Sequence, residues 1–214
     1  MRLAFPRLYA IMDATLLRIS ELSTAALLAD AGVGLIQYRD KKISSGRLLS
    51  LSRELIGLCR SRGARFVVND RADVAAFAGA ECLHLGQSDL DVEAARRLCG
   101  ASCWVGISTH TLEQVREADQ SSADYLAVGP VFGTTTKRQA DPVVGVDFVR
   151  QARKLTKKPV VAIGGLTVER AEEVYRAGAD SLAVARDLVG APDIAARARE
   201  YLEIAGRCFG ESRN

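Results

Sequence analysis

Gln37, Arg39 and Lys41 are spaced by two. In a β-strand that spacing puts all three on one face. On an inner face they bring an amide and two cations to one point. Arginine offers a planar donor fork and lysine a point charge, a combination suited to a diphosphate. The competing reading is an exposed edge strand of alternating charge, but the apolar lead-in Leu35-Ile36 favours a buried one. Two carboxylates close neighbouring apolar stretches: Asp70 follows Arg65-Phe66-Val67-Val68-Asn69, and Asp89 follows Leu83-His84-Leu85-Gly86-Gln87-Ser88. Magnesium is usually held by one or two carboxylates plus substrate phosphates. Taken alone, either aspartate is more often a helix N-cap; the basic cluster beside them favours a metal–diphosphate site. Gly164-Gly165 and Ala185-Arg186 end two further stretches. Backbone N–H groups at such ends can cradle a second phosphate, although a lone Gly-Gly also makes an ordinary tight turn.

There are only two histidines. His84 lies inside an apolar run and reads as a satisfied core residue. His110 follows Ser108-Thr109 at a helix start and reads as part of the turn. No Ser-His-Asp or Cys-His set can be assembled, so a general-base mechanism is not suggested. Activation of a leaving group by metal and cations is.

The elements that must position these groups are short and regular. Eight apolar, β-branched-rich runs can be marked: Leu8–Asp13, Leu35–Lys41, Arg65–Asp70, Cys82–Gly86, Trp104–Thr109, Tyr125–Pro130, Val160–Gly165 and Ser181–Arg186. Helical segments lie between them, among them Ser44–Arg62, Val92–Leu98, Leu112–Ala118, Val146–Leu155 and Val168–Ala177. Leu48, Leu51, Leu55 and Leu58 form one helical stripe, and Thr111-x-x-Gln114 reads as a capping box. Gly32, Gly63, Gly79 and Gly178 stand where helices should stop. Alternating strands and helices imply parallel pairing through right-handed crossovers. Runs apolar on both faces imply a sheet covered on both sides. The expected fold is therefore a single-domain (β/α)₈ TIM barrel over residues 1–214, with a doubly wound open sheet as the alternative. The strand ends of such a barrel share one face, and that face carries the chemistry. The polar stretch 132–145, which contains Thr134, Thr135, Thr136, Lys137 and Arg138, is long for such a domain and reads as an active-site loop.

Composition narrows the classes. The 214 residues are 48% hydrophobic and 26% charged, with a net charge of +3. That excludes a disordered chain and is too mild to argue for nucleic acid. No apolar run approaches the roughly 18 residues of a membrane span, and the N-terminus shows no signal peptide. Five cysteines without a C-x-x-C pair favour a reducing cytoplasm over a zinc site.

Together the motifs resemble the thiamin-phosphate synthase (thiamin-phosphate pyrophosphorylase) family, over about Leu8 to Leu188. They are Gln37-Tyr38-Arg39-Asp40-Lys41, Val68-Asn69-Asp70, His84-Leu85-Gly86-Gln87-Ser88-Asp89, Gly106-Ile107-Ser108-Thr109-His110-Thr111, the stretch from Gly129 to Lys137, and Ala162-Ile163-Gly164-Gly165. The resemblance implies that 4-amino-5-hydroxymethyl-2-methylpyrimidine diphosphate is joined to 4-methyl-5-(2-phosphoethyl)thiazole, giving thiamin phosphate and pyrophosphate. It implies a dissociative reaction assisted by Mg²⁺, in which pyrophosphate leaves before the thiazole nitrogen attacks. By the same resemblance Gln37, Arg39, Lys41, Asn69, Ser108 and Lys137 hold the pyrimidine diphosphate, with Arg39, Lys41, Ser108 and Lys137 acting on the leaving group. Asp70 and Asp89 ligate Mg²⁺. Thr134, Thr135, Thr136, Gly165, Ala185 and Arg186 hold the thiazole phosphate. Arg186 departs from the family pattern, where a small serine is common. The partners implied are small molecules, and a homo-oligomer is compatible with the pattern. The nearest rival is the related thiazole tautomerase, which lacks several diphosphate-binding residues and carries a histidine at the position of Pro130. A non-catalytic phosphate-binding barrel would leave the aspartate pair without purpose.

Overall fold

The computed structural model describes residues 5–134 and 142–210. Eight strands, β1 (Leu8–Asp13), β2 (Leu35–Arg39), β3 (Arg65–Asn69), β4 (Cys82–Leu85), β5 (Trp104–Thr109), β6 (Tyr125–Val128), β7 (Val160–Ile163) and β8 (Ser181–Val184), pair in parallel in sequence order. β8 pairs back onto β1 and closes the barrel. Among the described residues the helices are α1 (Glu21–Asp30), α2 (Ser45–Ser61), α3 (Ala72–Ala78), α4 (Val92–Cys99), α5 (Leu112–Gln120), α6 (Gly145–Leu155), α7 (Val168–Arg176), α8 (Arg186–Val189) and α9 (Ile194–Phe209). The expected (β/α)₈ barrel is therefore the observed one, and the open sheet is not.

Local chemistry accounts for the element ends. Thr111 and Gln114 form the expected capping box at the start of α5. Gly32, Gly63, Gly79 and Gly178 all take positive φ just after helices. Six strands stop one or two residues before the apolar runs do. Lys41, for example, lies beyond the end of β2 at Arg39. The ladder ends where the chain must turn outward, so the last residue of each of those six runs lies beyond its strand.

Strand alternation sorts the side chains into two cores. Outward-facing residues such as Ala10, Ile36, Val68 and Leu83 pack under the helices. Inward-facing Tyr9, Leu35, Val67, Cys82, Tyr125, Val161 and Ala183 fill the barrel. Tyr125 lies across the interior against β5, where Gly106 makes room. A Cβ at Gly106 would stand 2.0 Å from the Tyr125 ring. At the N-terminal end of the strands the Phe5 ring stacks on Trp104 at 5.8 Å and tilts against Tyr125 at 4.9 Å. The Arg65 guanidinium lies over the Trp104 ring at 3.8 Å. These aromatics form the barrel's floor.

One device at that floor is used twice. Ala123-Asp124-Tyr125-Leu126-Ala127-Val128 and Ala179-Asp180-Ser181-Leu182-Ala183-Val184 share five of six residues. Asp124 pairs with Arg96 of α4 at 2.5 Å and accepts the Val105 N–H at 2.7 Å. Asp180 pairs with Arg153 of α6 at 2.6 Å and accepts the Val160 N–H at 2.9 Å. Each aspartate ties an incoming strand to the preceding strand and to the helix outside it.

Candidate functional site

The site lies at the C-terminal ends of the strands. Asp13 ends β1 and Arg39 ends β2, opposite each other in register. Arg39 Nη1 donates to Asp13 Oδ2 at 2.5 Å. Asp13 is 2% exposed and was not singled out in the sequence, because a carboxylate closing an apolar run has no distinctive spacing. Gln37, one pleat deeper than Arg39, is equally buried. Lys41 reaches the same region by another route. It lies beyond the strand, so the period-two reading does not extend to it, and its ammonium instead pairs with Asp70.

Neither aspartate of the expected metal pair caps a helix. Asp70 adopts φ 62, the only positive φ of a non-glycine among the described residues, and its N–H donates to the His84 carbonyl at 2.8 Å. α3 has no side-chain cap, and α4 is capped by Asp91. Asp89 Oδ2 accepts the Gly86 N–H at 2.7 Å. Burial raises the Asp89 carboxyl above its ordinary range against the pull of that N–H, and the hydrogen-bonded Asp70 carboxylate adds to the rise. Two carboxyls held within hydrogen-bond reach repel each other when both ionise. A divalent cation relieves that repulsion, so the pair fits Mg²⁺ chemically. Among the described residues no cluster of three or more His, Cys, Asp or Glu could hold a metal. Two carboxylates with substrate oxygens completing the shell is the usual pattern for magnesium.

Below these charges runs a chain of polar side chains that sequence reading missed. Gln37 Nε2 donates to the Tyr9 hydroxyl. Tyr9 meets Tyr125 at 3.5 Å, Tyr125 meets His84 Nδ1 at 3.1 Å, and His84 Nε2 meets Ser108 Oγ at 2.9 Å. The amide nitrogen is a donor only, so the Tyr9 oxygen accepts at this link. A chain that continues in the same direction has Tyr9 donating to Tyr125 and Tyr125 to Nδ1. In that arrangement the imidazole proton sits on Nε2 and is donated to Ser108, which leaves the Ser108 proton available to another acceptor. Burial pushes the His84 imidazole down to about 4, so it is neutral at pH 7. His84 is thus the satisfied core residue expected, and it also supports a site residue. Tyr9 and Tyr125 were hidden because a tyrosine in a strand ordinarily reads as packing. His110 is part of the turn, as expected: its N–H donates to Gln114 Oε1 at 2.7 Å.

The stretches expected to cradle a second phosphate are partly described. Gly165 has φ 59, and a Cβ there would lie 2.4 Å from the Gly133 carbonyl oxygen. The Phe132 N–H donates to the Gly164 carbonyl at 3.0 Å, and Val144 N–H to the Pro130 carbonyl at 2.9 Å. Both stems of the 132–145 stretch are thereby tied beside Gly164 and Gly165. Thr134 is the last described residue before the gap; Thr135, Thr136 and Lys137 lie outside the described residues. Ala185 and Arg186 open α8, where first-turn N–H groups have no intrahelical acceptor. The Arg186 side chain is exposed. Asn69 ends β3 beside Asp70.

Comparison with known proteins gives one family. A family model described as thiamine monophosphate synthase matches residues 8–188. A thiamine-phosphate synthase of Koribacter versatilis is 47% identical over 208 residues, covering 94% of this chain and 97% of the relative. One from Methanospirillum hungatei is 39% identical over 198 residues, covering 92% and 96%. The solved structure of thiamine phosphate pyrophosphorylase from Pyrococcus furiosus aligns with a TM-score of 0.87 at 32% identity, covering 95% of this chain and 97% of that one.

Proposed function

This chain belongs to the thiamine monophosphate synthase family, and on that premise we propose that it condenses the pyrimidine diphosphate with the thiazole phosphate to form thiamin phosphate and pyrophosphate. The observation that carries this reading is the convergence of Arg39, Lys41, Asp70 and Asp89 at one barrel mouth, above the chain of bonds that ends at Ser108. A tautomerase would not need that diphosphate equipment, and Pro130 occupies the position of its histidine.

In this reading Gln37, Arg39, Lys41, Asn69, Ser108 and Lys137 hold the pyrimidine diphosphate. Asp70 and Asp89 hold Mg²⁺, which when bound would offset the charge growing on the departing pyrophosphate. Lys41, now paired with Asp70, would pass from that carboxylate to the diphosphate as the site fills. Arg39 and the outward proton of Ser108 aim fixed donors at leaving-group oxygens, where they act without reorganisation. Thr134, Thr135, Thr136, Gly165 and the backbone of Ala185 and Arg186 hold the thiazole phosphate. A backbone contact at Arg186 accommodates the change from serine. The 132–145 stretch, tied at both stems, serves as the active-site loop that keeps water from the cationic carbon.

No helix among the described residues is long and apolar enough to cross a membrane. All five cysteines are free thiols, which supports the cytoplasmic setting read from the sequence. The decisive experiment is incubation with both substrates and Mg²⁺, followed by assay of thiamin phosphate; folded protein that yields none refutes the proposal. Asp70→Ala or Asp89→Ala should lower Mg²⁺-dependent turnover at least about 100-fold, the scale of losing an electrostatic stabiliser, with circular dichroism unchanged. Full activity in both variants would remove the metal assignment.

A further inference from the structure

We infer that Asp13 is a positioning residue for diphosphate binding and acts through Arg39. The inference rests on the reading of Arg39 as part of the diphosphate clamp. Every acceptor position of Asp13 that the structure shows engaged serves to hold the carboxylate still. Oδ1 accepts the Thr15 N–H at 3.0 Å and the Thr15 hydroxyl at 2.5 Å, while Oδ2 accepts Arg39 Nη1 at 2.5 Å. The backbone is fixed as well, because Ala14 N–H donates to the Arg39 carbonyl at 2.9 Å. The Asp13 side chain is 3% exposed, whereas that of Arg39 is 24% exposed. A rigid, buried anchor therefore holds one corner of a guanidinium that opens onto the site.

The physical consequence has two sides. Freezing an arginine costs rotamer entropy. With one corner already bonded to Asp13, part of that cost falls on folding and not on ligand binding. Against this, a carboxylate beside a diphosphate site cancels the charge of its arginine. The Asp13–Arg39 pair is nearly neutral as a unit, so Arg39 contributes aimed donors more than net attraction. Lys41 differs: its side chain is 59% exposed, and its partner Asp70 is assigned to the metal. The clamp thus has one directional arm and one Coulombic arm. Replacing Arg39 by lysine, which keeps the charge and loses the fork, should then cost nearly as much as replacing it by alanine.

The test is steady-state kinetics with Mg²⁺ and both substrates, together with inhibition by inorganic pyrophosphate. Asp13→Asn should raise the KM for the pyrimidine diphosphate and the Ki of pyrophosphate about tenfold, the lower end for loss of an orienting partner. The KM for the thiazole phosphate should stay near that of the parent, and the thermal midpoint should fall by no more than the roughly 4–8 °C expected for one lost charge-assisted bond. In an Arg39→Ala background, adding Asp13→Asn should change those constants less than about twofold, within the tolerance of a null coupling test. A full tenfold effect on top of Arg39→Ala, or no effect of Asp13→Asn alone, overturns the inference. An unchanged KM in Arg39→Ala overturns the clamp reading itself, a separate result. Should Asp13→Asn fail to fold, Thr15→Val at an exposed position removes one of the bonds that hold the same carboxylate. It should raise the same KM about threefold, a smaller share of the same orienting effect, and unchanged constants there likewise overturn the inference.

Discussion

His84 is uncharged at neutral pH because burial pushes its imidazole down to about 4, against an ordinary value of 6.5. Between those values the unfolded chain takes up a proton that the folded barrel refuses. Stability therefore falls as pH drops through the window from 6.5 to 4, by up to about 3 kcal/mol from this group. Chemical denaturation at pH 7 and pH 4.5 should show the loss, and His84→Gln should remove that share of it. An identical pH dependence in the variant would mean that His84 is not the group responsible. Where the chain of bonds runs outward from Gln37, Nε2 donates to Ser108, so Ser108 is oriented by a residue with no net charge. Of this arrangement the sequence displayed only that His84 sits in an apolar run. Its two partners come from strands 24 and 41 residues away, and nothing in local spacing encodes such a meeting.

At the level of elements, the repeated aspartate before β6 and β8 works as a splice between strand and helix. Asp180→Asn keeps the shape but loses the charge-assisted bond to Arg153, a loss of about 2 kcal/mol. For a chain of this size that lowers the thermal midpoint by roughly 4–8 °C. Turnover should be unaffected, because the splice stands at the opposite end of the barrel from the chemistry; a fall in kcat without a fall in midpoint would contradict this. Gly106→Ala should be harsher, since its methyl meets the Tyr125 ring at 2.0 Å and the overpacking costs about 1–3 kcal/mol or more. Strand positions were legible in the sequence because parallel strands buried on both faces read as unbroken apolar runs. Their exits were less so, as Lys41 shows. Apolar pattern reports burial, and it does not report where the last ladder bond is made. The helices α1, α3 and α9 offered weaker signals. α3 in particular is Ala-Asp-Val-Ala-Ala-Phe-Ala without a side-chain cap.

Across the whole molecule, labour is divided between the two ends of the barrel. Anchoring pairs and aromatic rings gather at the floor, and the charged groups proposed to bind phosphate and metal gather at the mouth. This is the arrangement that lets barrel enzymes vary their chemistry without disturbing their fold. The side chains proposed to bind phosphate could be picked out by residue type and order, because a diphosphate–metal site demands a narrow set of groups. Asp13 and the two tyrosines were not, because they act on other side chains. The floor has one further, practical consequence. The chain's single tryptophan, Trp104, sits there against the Phe5 ring and the Arg65 guanidinium. Its fluorescence is thus a built-in optical gauge of the structural end alone. Filling the mouth with substrates should leave the emission maximum in place, whereas denaturant should shift it to the red as the rings separate. A variant can then be judged for integrity and for catalysis in one cuvette, by two signals that arise at opposite poles of the barrel.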